Sequence, residues 1–218
     1  MKIVYVKNCF RDPIAEIQLA ADLLNTAASA HLVGDHSTAR ESLLKANMPE
    51  VRAFSESLWG AKSKYVPVVA KSPAPAITKG EYRRMPTSCE RRALHARDGF
   101  HCRFCGMPVV RAEVRRYLTQ AYPDLNLWAV GNKNQHAALQ CMWVQYDHLT
   151  PHSRGGTNEL TNLVIACAPC NYSRMQFTLS EVGLANPLDR ETIRLPWDGL
   201  ERLLPKKARI EAPTYAQR

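Results

Sequence analysis

The densest reactive chemistry in this 218-residue chain lies between Asp147 and Asn171. Asp147 and His148 are adjacent, Pro151, Gly155 and Gly156 follow them, and Asn162 and Asn171 come next. Histidine titrates near neutral pH, so His148 can take a proton from water. The Asp147 carboxylate and the Asn171 side-chain oxygen are hard ligands. Two of them leave the other positions of a cation such as Mg²⁺ to water and substrate oxygens.

Two Cys-x-x-Cys pairs, Cys102/Cys105 and Cys167/Cys170, can each form a thiolate knuckle. Brought together they make the tetrahedral four-thiolate set that zinc prefers. Between Cys105 and Cys167 lie 61 residues, so the pairs are expected to fasten the ends of a domain rather than form a compact finger. With all four positions filled by sulfur, the zinc is expected to be structural. The alternatives are chance pairing or a redox dithiol, and the latter is disfavoured because neither pair reads as opening a helix after a buried strand. Cys9, Cys89 and Cys141 read as buried small apolar residues.

The net charge of +9 is unevenly placed. Residues 1–63 carry seven basic and seven acidic side chains, whereas 83–116 carry nine arginines against Glu90, Asp98 and Glu113, a local excess of +6. Arg91, Arg92, Arg97 and Arg103 in that stretch, with Arg154 and Arg174 further on, are candidates for gripping phosphates. A solvated basic surface is the other reading of the same charges.

The residues from Asp147 to Asn158, then Leu160 to Asn171, resemble the HNH endonuclease pattern. The likeness lies in a D-H pair, a proline- and glycine-rich loop, N-L before an apolar strand, and C-x-x-C-N. It spans residues 99–178 and implies an α+β fold, a ββα-metal core stapled by the four-cysteine zinc site. It also implies metal-dependent hydrolysis of phosphodiester bonds, above all in double-stranded DNA. His148 would activate water, and Mg²⁺ or Mn²⁺ would sit on Asp147 and Asn171. Asn162 would orient the His148 ring through a backbone contact, and Arg154 and Arg174 would reach phosphate oxygens as bidentate donors. The final histidine of the family's name is Asn171 here, which shifts metal preference. His152 reads as a second metal ligand, a phosphate contact or a loop surface residue; His95, His101 and His136 read as structural or solvent-facing. A noncatalytic zinc-ribbon module binding nucleic acid or protein is the opposing reading. It accounts for the cysteines and arginines but not for Asp147, His148, Asn162 and Asn171 in that order.

Positioning these residues requires a scaffold. Residues 1–63 read as an α-helical module: a cap at Asp12-Pro13, a helix from Ile14 to about His31, a turn at Gly34-Asp35, a second helix Ser37–Ala46, and a third from Pro49 to Leu58. The pattern resembles one tetratricopeptide-type hairpin, but a single copy cannot bury a core. A hairpin docked on the remaining chain is expected, with a surface for a protein partner or a second copy. Residues 64–82, with Pro67, Pro73 and Pro75, read as a semi-rigid linker.

The nuclease-like region, 83–178, predicts a helix Ser88–Arg97 capped by Thr87 or Ser88, another at Val110–Gln120, and a helix running into a strand over His136–Tyr146. Paired strands follow at Tyr146–Leu149 and Leu163–Ala166, then a helix Ala168–Phe177 with Asn171 near its start. Adjacent strand residues point to opposite faces, so Asp147 and His148 share a site only if the strand ends or twists there. Residues 179–218 read as a packing segment around Leu195–Leu200 and Leu203-Leu204, then a basic tail with Lys206, Lys207 and Arg209. No apolar run is long enough to cross a membrane and no signal peptide is recognisable, so a cytoplasmic location is expected.

Overall fold

The computed structural model describes residues 6–59, 63–66, 83–193 and 195–211. Most of the proline-rich stretch and the end of the basic tail lie outside those residues. Helix α1 (Ala15–Leu32) buries Ile17, Ala20, Ala21, Leu24, Ala27 and Ala28, a helical stripe made largely of alanine. Such small side chains let α2 (His36–Ala46) lie close, presenting Ala39, Leu43 and Ala46. Gly34, at φ +81°, turns the chain between them, and the Asp35 carboxylate accepts from Thr38 N at 3.0 Å to cap α2. Asp12 is not the cap of α1, as had been expected. Ile14 precedes that helix, and Asp12 Oδ1 accepts from the Cys9 thiol at 3.4 Å. Helix α3 (Pro49–Leu58) opens on proline and buries Val51, Phe54 and Leu58.

Helix α4 (Ser88–Asp98) begins in a capping box formed by Thr87 and Glu90 and ends at Gly99. Then follow α5 (Ala112–Ala121), α6 (Ala137–Cys141), strands β1 (Val144–His148) and β2 (Leu163–Cys167), α7 (Ala168–Arg174) and α8 (Leu179–Val182). The strands pair antiparallel, with Val144 opposite Cys167 and His148 opposite Leu163. Every residue of β2 is buried, packed by α4 and α7. Its second edge is not left bare: Ile165 N donates to Asp98 Oδ2 at 3.2 Å, and Ile165 O accepts from Arg103 N at 2.8 Å. The fold is thus α+β with a two-stranded ββα unit at its centre.

The three N-terminal helices dock on this unit. Helix α3 lies against α6 and α7, and Ser173 Oγ donates to Leu58 O at 2.7 Å. His136 Nε2 meets Leu43 O at 2.8 Å, Ala137 N donates to Asn47 Oδ1 at 2.7 Å, and His31 sits between the Tyr117 and Tyr122 hydroxyls at 2.9 Å each. One cluster of buried apolar side chains runs from α1 through to Ile210. The inner face of the helical module is therefore spent on its own chain.

The C-terminal segment packs as well. Trp197, Leu200, Leu203 and Leu204 are buried, and Arg111 and Glu201 form a buried pair with two bonds of 2.7 Å. Arg209, assigned to the tail, instead bonds Leu204 O and Arg202 O at 2.6 and 2.9 Å. Among the described residues no helix is long and apolar enough to cross a membrane.

Candidate active site

The end of β1, the loop after it, and the second half of α7 with the residues just past it line a cleft of about 480 Å³. Asp147, His148, His152, Asn171 and Arg174 line it, together with Arg84, Met85, Gln145 and Tyr172. Asp147 and His148 both reach the cleft although they are neighbours in sequence. The strand ends at His148, which frees that residue from strict alternation.

Arg174 does not extend toward a ligand, and the expectation that it grips phosphate is corrected. It is 1% exposed, and its guanidinium takes both Asp147 oxygens, Nε to Oδ2 at 2.8 Å and Nη2 to Oδ1. The remaining donors go to main-chain carbonyls of His148, Leu149 and Phe177. This clamp ties the end of α7 to the end of β1. Burial pushes the Asp147 carboxyl upward, and the Arg174 charge only partly opposes it.

His148 is 8% exposed, and burial pulls its pKa below the ordinary imidazole value, against the opposing pull of Asn158 and Asp147. Burial thus favours the neutral form of the ring. Its Nε2 lies 2.7 Å from Asn158 Oδ1, and His152 stands edge-on with ring centroids 5.8 Å apart. Asn162 does not touch the ring. Its amide clasps the chain just past His148, with Oδ1 accepting from Thr150 N at 2.7 Å and Nδ2 donating to Thr157 O at 2.8 Å. Its own carbonyl accepts from Leu149 N at 2.8 Å.

The glycine pair has a steric cause in the same loop. Gly155 sits at φ +87°, and a Cβ on Gly156 would come within 1.8 Å of Thr150 O. Asn171, on the first turn of α7, turns Nδ2 toward Gln145 Oε1 at 3.5 Å. Gln145 precedes Asp147 by two residues and so shares its strand face.

The four cysteines converge beside this cleft. Their Sγ atoms all lie within 4.8 Å of one another, with Cys105 and Cys167 3.7 Å apart. Sulfurs bound at about 2.3 Å to a tetrahedral ion are separated by about 3.8 Å. Cys167 closes β2 and Cys170 lies in the first turn of α7. The second pair therefore does open a helix after a buried strand, contrary to expectation. What argues against a redox dithiol is the gathering of all four sulfurs. Of the other thiols, Cys9 and Cys141 are buried as expected, but Cys89 is exposed.

Most of the arginines proposed as phosphate contacts are committed elsewhere. Arg97 holds Asp98 with two bonds of 2.7 Å and caps Leu160 O and Leu163 O. Arg103, 8% exposed, bonds Arg190 O and Pro187 O, and Arg154 pairs with Glu181 at 2.9 Å. Each thus bonds carbonyls or carboxylates of its own chain. Arg91 lies with its guanidinium 5.1 Å above the Tyr146 ring, and Arg92 is exposed on α4. His95 and His136 are buried structural residues, pushed down by burial to about 3 and about 4. His101 is buried too, with Nδ1 unpartnered among the described residues.

Sequence reasoning did not single out Asn158, Gln145 or Arg84. Gln145 was open to detection through its two-residue offset from Asp147. Asn158 and Arg84 reach the site by tertiary contacts that leave no local pattern.

No curated protein and no solved structure matches the chain. Residues 134–175, which span β1, its loop, β2, the second cysteine pair and α7, match the family model described as HNH endonuclease. The segment that holds Asp147, His148, Asn162 and Asn171 is thus similar to an HNH endonuclease domain, over 42 of the 218 residues.

Proposed function

We propose that the protein is a metal-dependent endonuclease that hydrolyses phosphodiester bonds, with double-stranded DNA as its substrate. The observation that carries this reading is the convergence of Asp147, His148 and Asn171 on one cleft within the segment that matches the family. The neutral, nearly buried His148 takes the proton of an attacking water as general base. Asn162 keeps that ring in place indirectly, by fixing the main chain at Thr150.

The donor set fits a hard divalent cation. Asp147 would supply carboxylate oxygen, and Asn171 keeps Oδ1 clear of its contact with Gln145. These two residues would hold Mg²⁺ or Mn²⁺, which would supply positive charge for the scissile phosphate and the leaving oxygen. The four-thiolate cluster has the spacing of a closed zinc site and holds the two ends of the domain together without taking part in the reaction. A reducing cytoplasm would keep those thiols available. Arg91 and Arg92 on α4 and Arg84 at the cleft form the grip on nucleic acid.

Nicking of supercoiled plasmid in the presence of Mg²⁺ or Mn²⁺, compared with the His148→Ala variant, tests this function. The expected outcome is cleavage by the wild type and a loss of about 10²-fold or more in the variant. Equal cleavage by both removes the role of His148. One observation favours the binding-module reading, namely that Arg174 already supplies a positive charge to both Asp147 oxygens. Stoichiometric zinc with no cleavage under any divalent metal would establish that alternative.

A further inference from the structure

The Asn158 side chain makes two hydrogen bonds whose directions are not independent. Its Nδ2 lies 2.6 Å from Arg83 O, and its Oδ1 lies 2.7 Å from His148 Nε2. A main-chain carbonyl can only accept, so the amide atom facing Arg83 must be the NH₂ group. Turning the amide over would set two acceptors against each other at that distance. With Nδ2 committed, Oδ1 faces the histidine, and the ring atom opposite an amide oxygen must donate. Nε2 therefore carries the hydrogen. A neutral imidazole has a single N–H, so the lone pair is on Nδ1.

We propose that Asn158 is a positioning residue that fixes neutral His148 as the Nε2–H tautomer and so makes Nδ1 the atom that receives the proton from water. This rests on the reading of His148 as the water-activating base. The reference for the setting is the strap at 83–86. Arg83 Nε donates to Met85 O at 2.9 Å, and its Nη2 donates to Glu90 Oε2 at 2.9 Å. Glu90 is itself the acidic member of the α4 capping box, bonded to the Thr87 hydroxyl at 2.8 Å. A relay of short contacts thus runs from the start of α4 through Arg83 and Asn158 to the ring. Asn162 cannot serve instead, because its amide is already bonded to Thr150 and Thr157. Arg84 and Met85 of the same strap line the cleft, so the segment that sets the tautomer also borders the substrate.

The experiment is ¹⁵N NMR of the full chain with labelled histidine, His148 being assigned by its loss in His148→Ala. The expected wild-type spectrum has a pyrrole-type Nε2 and a pyridine-type Nδ1 for the neutral ring. A pyrrole-type Nδ1 overturns the proposal without any variant being needed. Asn158→Leu, of similar size but with no acceptor, is expected to mix the tautomers. It should lower kcat about 10²-fold while KM and Mn²⁺ affinity stay within about twofold. Asn158→Asp keeps the acceptor for Nε2–H but sets its second oxygen against Arg83 O, so it should restore the Nε2–H signature with only part of kcat. An unchanged kcat in Asn158→Leu overturns the proposal. A wild type that shows the Nε2–H ring yet cleaves nothing refutes the nuclease reading and leaves the tautomer assignment standing.

Discussion

Arg174 is the last residue of α7, and its guanidinium is shared between one carboxylate and three main-chain carbonyls. Removing it leaves Asp147, 5% exposed, as a buried acid without a counter-charge and leaves the carbonyls unsatisfied. Arg174→Ala should therefore cost about 3–5 kcal/mol in urea unfolding, whereas a surface phosphate contact would cost almost nothing. Arg174→Lys should recover only part of this, since one ammonium cannot span both Asp147 oxygens and the carbonyls. At this scale residue order was informative where chemistry depends on residue type: Asp147, His148 and Asn171 line one cleft, and the four cysteines of the two pairs gather in one cluster. It was uninformative for arginine. A count of arginines does not say which of them meet Asp98, Glu181 or Asp147 after folding, and four of the six proposed phosphate contacts proved to be internal ties.

Among the elements, β1, β2 and α7 form the unit that carries the candidate site. Cys167 ends β2 and caps α7, so the thiolate cluster holds the strand-to-helix corner from which Asn171 projects. Apparent metal-binding energies of such sites are on the order of 10 kcal/mol, as large as the stability of a whole domain. Stripping the ion with a strong chelator should therefore abolish the cooperative unfolding transition followed by circular dichroism. Cys170→Ser should reproduce that loss, while Cys89→Ser, at an exposed thiol, should leave the transition unchanged. Unaltered melting after the ion is removed would mean that packing alone holds the corner. The strands and helices of this unit were readable from their apolar runs, the Thr87 cap and the prolines. The cover on the second edge of β2 was not, because it comes from Asp98 and Arg103, more than 60 residues earlier in the chain.

For the whole molecule, the buried histidines couple stability to pH. His95 and His136 are neutral in the folded chain, with pKa values pushed by burial to about 3 and about 4, while an unfolded histidine titrates near 6.5. The unfolded chain thus takes up protons first as pH falls. Stability is fully present above about 6.5 and drains away between 6.5 and the folded values. For His136 alone the loss amounts to roughly 3 kcal/mol, and it falls on the contact with Leu43 that docks α2. Denaturant midpoints measured from pH 7.5 to 4.5 should fall steadily in the wild type and more gently in His136→Gln. Parallel slopes in the two proteins would remove His136 from the account. The sequence showed the hairpin but not its docking, because no local pattern records that Leu43 and Leu58 lend their carbonyls to His136 and Ser173.

The buried pair of Arg111 and Glu201 has a consequence for how the domain can be handled. Residues 83–178 look like a cassette, yet Arg111 in that stretch relies on a carboxylate 90 positions later, and Glu201 in turn accepts from Ile210 N at 2.7 Å. An excised cassette would keep the cation and discard its buried partner, leaving only Glu113 at 3.6 Å, while Ser173 would lose the Leu58 carbonyl at the other end. Grafting this domain onto another scaffold therefore means carrying both flanks along, because described residues on either side of it bond its buried side chains.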